Sequence, residues 1–231
     1  MNDIDAFIIA GGKCGSSTLK KTFLSLQLKT IKSHNPVCFE QQFGFEGFFD
    51  TIIESSRYKR LIIVDAYRTP IERKISSFFH NGERKIPNFL DMTIKEQIEL
   101  FNKDYLYSIE DEHIINEIYL KLNIPQIVSY DFNREYLYQC YKNFIIVKLH
   151  YRDIKNWGER LTEIFSKPIT IVSANVSENK PYYEHYKDFL EKYKVPKQYI
   201  EETLVNDIEF KKYQTPEQQT EYITMWLENS I

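Results

Sequence analysis

Short apolar runs alternate along this chain with stretches whose apolar positions recur at helical spacing. Phe7-Ile8-Ile9-Ala10 breaks into glycines and resumes as a helical pattern, which predicts a strand near Ala6–Ala10 and a helix near Thr18–Leu28. The same reading predicts a helix around Phe45–Ser56, a strand at Arg60–Asp65 and a helix at Ile71–Asn81. Helices at Ile94–Leu106 and His113–Leu122 follow, then a strand at Phe144–Leu149, a helix near Trp157–Phe165 and a last strand at Ile169–Ser173. Between Lys103 and Tyr141 periodicity is weak, which fits a substrate-facing insertion or an irregular surface. Strands separated by helices predict an α/β fold, a parallel sheet flanked by helices, whose ligands bind beyond the strand carboxyl ends. No Gly/Ser-rich or Pro-rich linker interrupts the chain, so a single domain is expected, with 182–231 as a peripheral helical subdomain.

Composition narrows the chemistry. With 30 basic and 33 acidic residues the net charge is -3, so the charge balance does not point to a general nucleic-acid binder or a membrane-surface protein, and any anion site must be local. Cys14, Cys38 and Cys140 have no metal-ligand spacing and cannot all pair, which makes a reducing compartment the default. Met1 leads into polar residues and no apolar stretch approaches the roughly 20 residues that span a bilayer, so a soluble cytoplasmic protein is expected.

The first strand runs into Gly11-Gly12-Lys13-Cys14-Gly15-Ser16-Ser17-Thr18-Leu19. Glycines let a backbone turn sharply and bring N–H groups close to an anion, and a helix that follows offers unpaired N–H groups and its positive dipole end. Lys13 precedes the last glycine, whereas the nucleoside triphosphate loop places its lysine after it. The second anion signal follows Leu61-Ile62-Ile63-Val64. There Arg68, Pro70 and Ser76 are spaced so that the proline occupies a first helical turn, the arginine stands just before it, and the serine projects from the second turn. An arginine fork and a hydroxyl suit a phosphate. A third segment, Ala174-Asn175-Val176-Ser177-Glu178-Asn179-Lys180, precedes the helical tail.

These three segments resemble those of the sulfotransferases that use 3′-phosphoadenosine 5′-phosphosulfate, and are similar above all to the carbohydrate and capsular polysaccharide members. The sharp matches lie at residues 11–19 and 68–76. The resemblance implies a P-loop nucleotide-hydrolase-like sheet. It places the 5′-phosphosulfate on Gly12, Lys13, Cys14, Gly15, Ser16, Ser17 and Thr18, and the 3′-phosphate on Arg68 and Ser76. Asn175, Ser177 and Lys180 would close over the nucleotide. It further implies transfer of a sulfuryl group to a hydroxyl of a carbohydrate acceptor with no metal required, and Lys13 as the residue that offsets charge on the bridging oxygen.

The resemblance puts the catalytic base shortly after the second strand, where His34 and Glu40 are the candidates, with His80 and Glu83 behind them. His34 leads because histidine titrates near neutral pH and Asn35-Pro36 predicts a strand end opening into a loop. The Ile, Lys, Asn and Tyr bias suits an AT-rich bacterial genome, and hence sulfation of a capsule or surface polysaccharide. Two other readings stand beside this one. The first is a kinase-like phosphotransferase on the same fold, for which Asp65 is the one well-placed magnesium-binding acid. The second is a non-catalytic nucleotide-binding module.

Overall fold

The computed structural model describes residues 4–44, 47–108, 114–126, 130–174 and 177–228. In chain order these form β1 (Ala6–Ile8), α1 (Ser16–Ser25), β2 (Thr30–Lys32), α2 (Pro36–Phe43), α3 (Phe48–Ser56), β3 (Leu61–Tyr67), α4 (Pro70–Lys85), α5 (Ile94–Asp104) and α6 (Ile114–Lys121). There follow β4 (Tyr136–Tyr141), β5 (Phe144–His150), α7 (Trp157–Phe165), α8 (Tyr183–Lys192), α9 (Lys197–Glu202), α10 (Ile208–Lys212) and α11 (Pro216–Glu228). The chain divides into two compact units, one of residues 1–68 and 110–175, the other of 69–109 and 176–231.

The first unit is a mixed α/β structure around a five-stranded sheet in the order β2-β1-β3-β5-β4. β2, β1, β3 and β5 run parallel, and β4 closes one edge antiparallel to β5. The inner strands read as near-continuous apolar runs because both faces are covered. Successive side chains take opposite faces. Ile8, Val64, Ala66, Val147 and Leu149 pack with Leu19 and Phe23 of α1 and Trp157 and Leu161 of α7. Phe7, Ile63, Phe144 and Ile146 pack with Phe39 of α2, Phe48 and Ile52 of α3, and Ile115 and Ile118 of α6. The second unit is helical, and its core joins Ile71, Phe78 and Phe79 of α4 to Phe101, Phe189, Tyr199, Phe210 and Trp226. Residues 182–228 therefore share one core with α4 and α5.

Three expectations change. Ile169–Ser173 is not a strand. The N–H groups of Val172 and Ala174 donate to the hydroxyls of Thr22 and Thr18 at 3.0 and 3.2 Å, and that of Ile169 to Thr162 Oγ1 at 2.9 Å. Thr18 and Thr22 lie four residues apart on one face of α1, so side chains supply the partners that a neighbouring strand would have supplied. Asn35-Pro36 opens not a loop but α2: Asn35 Oδ1 accepts from Cys38 N at 2.8 Å, Pro36 fills the first position, and Gly44 ends the helix at φ 75°. Finally, part of the irregular stretch before Tyr141 is β4, paired with β5 across Lys142, which turns the chain at φ 50°. The predicted first residues of the helices at Phe45 and His113 lie outside the described residues. No helix is long and apolar enough to cross a membrane among the described residues.

Candidate functional site

Because β2, β1, β3 and β5 are parallel, the segments that follow them leave from one edge of the sheet. β1 lies between β2 and β3, so the chain leaves it toward one side and later returns to the other. A ligand is expected at such a reversal, outside the carboxyl ends. The loop after β1 and Arg68 after β3 face each other there.

The loop is built tightly. Ile9 N–H donates to Val64 O at 2.9 Å, extending the β1–β3 pairing, and Cys14 N–H turns back to Gly11 O at 3.3 Å. Gly15 caps α1 in the left-handed region at φ 83°, and a Cβ there would stand 2.7 Å from Cη2 of Trp157 and 3.4 Å from Cδ2 of Tyr151. Glycine is thus required twice at this position, by conformation and by space. Gly12 is exposed, with nothing within 4 Å of its would-be Cβ. The other left-handed residue of the loop is Lys13, at φ 66°, a backbone state that side-chain-bearing residues adopt at a cost.

No side chain caps α1, and no acid stands in its first turn. Its N–H groups and dipole therefore favour an anion. Cys14 is buried, with Sγ 3.5 Å from Gly12 O, so its approach to a ligand is through the backbone. Ser16 is buried, and the Thr18 hydroxyl is engaged with the backbone of Ala174. Ser17 is half-buried and accepts from Lys32 Nζ at 3.3 Å. Lys32, at the end of β2, was not among the sequence candidates. Burial lowers its pKa below the usual lysine value, and the like charge of Lys20 lowers it further. A negative charge at the first turn of α1 would oppose this lowering.

Arg68 donates from Nη1 to the Lys13 carbonyl at 3.0 Å, and its guanidinium lies 4.5 Å from the centre of the Tyr151 ring. His34 holds its Nδ1 2.7 Å from the Ala10 carbonyl. A carbonyl only accepts, so Nδ1 carries the proton and Nε2 is the basic nitrogen of the neutral ring. Glu40 sits half-buried on α2, its carboxylate without a hydrogen bond or ion pair among the described residues.

Deeper along the same edge, Asp65 and Lys148 form a buried ion pair of 2.8 Å, and Asp65 Oδ1 also accepts from Ala66 N–H at 2.7 Å. His150 ends β5 beside Tyr67, ring centroids 5.0 Å apart. Its Nδ1 accepts from Arg152 N–H at 3.2 Å. Burial, with Arg152 and Lys148 adding positive charge nearby, pushes its pKa down to about 3.

The remaining candidates belong to the second unit or lie outside the described residues. Ser76 is buried on α4. His80, on the same helix, approaches Arg84 at 3.5 Å. Lys180 is half-buried, and its carbonyl accepts from Tyr183 N–H at 3.0 Å. Asn175 and the side chain of Ser177 lie outside the described residues. Among the described residues no group of three or more His, Cys, Asp or Glu side chains is arranged to hold a metal ion. Comparison with protein-family models, curated proteins and solved structures finds no match to the chain.

Proposed function

We propose that this protein is a sulfotransferase of the P-loop nucleotide-hydrolase-like kind, moving a sulfuryl group from 3′-phosphoadenosine 5′-phosphosulfate to a hydroxyl of a carbohydrate acceptor. The observation that carries the reading is the meeting of the Lys13 loop and Arg68 at the reversal point of the sheet, joined by the 3.0 Å bond from Arg68 to the Lys13 carbonyl. The uncapped start of α1, with Lys32 on Ser17, gives a 5′-phosphosulfate backbone donors and a second cation beside Lys13. The 3′-phosphate role of Arg68 and Ser76 rests on their sequence spacing.

In the reaction the acceptor oxygen bonds to sulfur while the bond from sulfur to the bridging oxygen of the 5′-phosphate breaks, releasing adenosine 3′,5′-bisphosphate. Lys13 and Lys32 offset the charge that grows on the leaving side, where a fixed cation is most useful. The acceptor proton goes to a base, for which His34 offers Nε2 and Glu40 its carboxylate. A polysaccharide of a bacterial capsule or surface, sulfated in the cytoplasm, is the acceptor class this reading favours. The kinase-like alternative would need Asp65 as its metal acid, and a magnesium ion there would have to share the carboxylate with Lys148 and the Ala66 N–H.

Calorimetry tests the assignment. Adenosine 3′,5′-bisphosphate is expected to bind in the presence of a chelator, and Arg68→Ala to weaken it by about 1.5–3 kcal/mol. Magnesium-dependent binding of ATP with none of the bisphosphate would overturn the assignment in favour of phosphoryl transfer. Binding of the bisphosphate with no sulfuryl transfer to any carbohydrate acceptor would leave a nucleotide-binding module.

A further inference from the structure

The contacts around the phosphate loop close on themselves. Gly15 seats on Trp157, whose indole N–H is fixed by the His150 carbonyl at 2.9 Å. Trp157 meets Tyr151 edge to face at 6.3 Å, Tyr151 carries the Arg68 guanidinium on its ring, and Arg68 returns to the loop at the Lys13 carbonyl. The carbonyl of Lys13 and the N–H of Cys14 belong to one rigid peptide plane and point in opposite directions. That plane is held at both ends, its oxygen by Arg68 and its N–H by Gly11 O. Lys13 occupies the left-handed region without the glycine that would make it easy.

We infer that Tyr151 is a positioning residue for the phosphate loop: by holding Arg68 on its ring face it keeps the Lys13–Cys14 peptide turned, so that the loop stands ready for an anion before one binds. The inference rests on reading residues 11–18 as an anion loop, and it makes Arg68 a support of that loop as well as a ligand contact. An arginine stacked on an aromatic face loses little freedom when it makes a further hydrogen bond. A rigid loop also binds its ligand without first having to be ordered.

Cys14 supplies a readout that needs no ligand. Its thiol is buried beneath the loop, 1% exposed, and becomes accessible to a maleimide only when the loop lifts. Labelling of Cys14, followed by peptide mass spectrometry in the full chain, is expected to quicken roughly tenfold or more in Tyr151→Leu and in Arg68→Gln. Tyr151→Phe keeps the ring face and should stay within about twofold of the parent. The double variant Tyr151→Leu/Arg68→Gln should be no faster than the quicker single one, because both remove the same support. Cys140, exposed on β4, serves as the internal reference for reagent and thiol reactivity and should label at an unchanged rate.

An unchanged Cys14 rate in Tyr151→Leu, or an equal acceleration in Tyr151→Phe, would overturn the inference. Should Tyr151→Leu disturb Cys140 as well, the comparison of Arg68→Gln with Tyr151→Phe decides. A parent protein that binds no adenosine 3′,5′-bisphosphate would sink the functional reading alone, since the labelling rates are measured without nucleotide.

Discussion

In the sheet-bearing unit, Asp65 and Lys148 meet as a buried ion pair across β3 and β5, whereas in the helical unit Phe78 is surrounded by five aromatic rings at centroid distances of 5.0–5.9 Å. The helical unit also buries Lys74, with its ammonium on the Ser108 carbonyl at 2.7 Å, and Glu209, Gln97 and Gln214, but the centre of its core around Phe78 is ring packing. Ring edges on ring faces need no partner chemistry, so such a core tolerates changes of pH and is vulnerable to loss of volume. A buried ion pair is the reverse. It contributes little net stability when complete and becomes costly when one partner is removed. The sheet unit places its polar interior in the carboxyl-terminal halves of β3 and β5, on the side of the sheet from which the loop after β1 leaves.

The largest effects should separate the two kinds of interior. Phe78→Ala is expected to cost about 3–5 kcal/mol of stability, through lost burial and the cavity it leaves. Lys148→Met should cost a similar ~3–5 kcal/mol by leaving Asp65 charged, buried and without its cation. Adding Asp65→Asn should restore much of the second loss and none of the first, as urea denaturation of the single and double variants would show. Recovery of stability in the helical variant would break the contrast.

Acid should act on the sheet unit through His150. Its folded pKa of about 3 lies below the ordinary value near 6.5. The unfolded chain therefore takes up the proton first, so the stability that neutral His150 lends is complete above pH 6.5 and is lost as pH falls toward about 3. Between pH 6.5 and 5 the loss should be about 2 kcal/mol. Denaturation at the two pH values should show this slope in the parent and a flatter one in His150→Gln; equal slopes would remove His150 from the acid response.

The smallest effect belongs to the helical unit's surface. Thr93 starts α5 with a capping box, accepting from Glu96 N–H while Glu96 accepts from Thr93 N–H. Thr93→Ala should cost about 1 kcal/mol of stability. Binding of adenosine 3′,5′-bisphosphate should not change, and a weaker nucleotide affinity in this variant would show that the two units are energetically less distinct than their interiors.

The parallel core and the loop after β1 were legible because local signals and burial agree there: apolar runs at 7–10, 61–64 and 144–149 sit between helical patterns, and glycines mark the turn. Other features were hidden for identifiable reasons. Ile169–Ser173 has a strand's composition, but its partners are hydroxyls some 150 residues earlier, which no local pattern reports. β4 turns into β5 at Lys142, without the glycine that announces a hairpin. α2 was readable in principle, from Asn35-Pro36 at its start and Gly44 at its end. Lys32 carries no mark in the sequence that singles it out, and only the fold sets it beside Ser17. The ring of Tyr151 under Arg68 depends on β3 and β5 being neighbours, which spacing along the chain does not encode.

The shortness of β2 has a consequence of another kind. A sheet's outermost strand is a template for other chains, and proteins discourage such pairing with brief edge strands, charged side chains and covered backbone groups. β2 has only three residues and ends in Lys32. At the opposite margin, Asp131 N–H takes the Tyr136 carbonyl at 3.0 Å, and the Gln139 side chain takes the carbonyl of Pro125 at 3.2 Å. Lys32 therefore puts a charge at the end of an edge strand as well as standing beside the loop. Replacing it with an apolar residue to probe anion affinity would also strip a gatekeeper from the rim of the sheet, so Lys32→Gln, which keeps the position polar, is the substitution that separates lost binding from self-association.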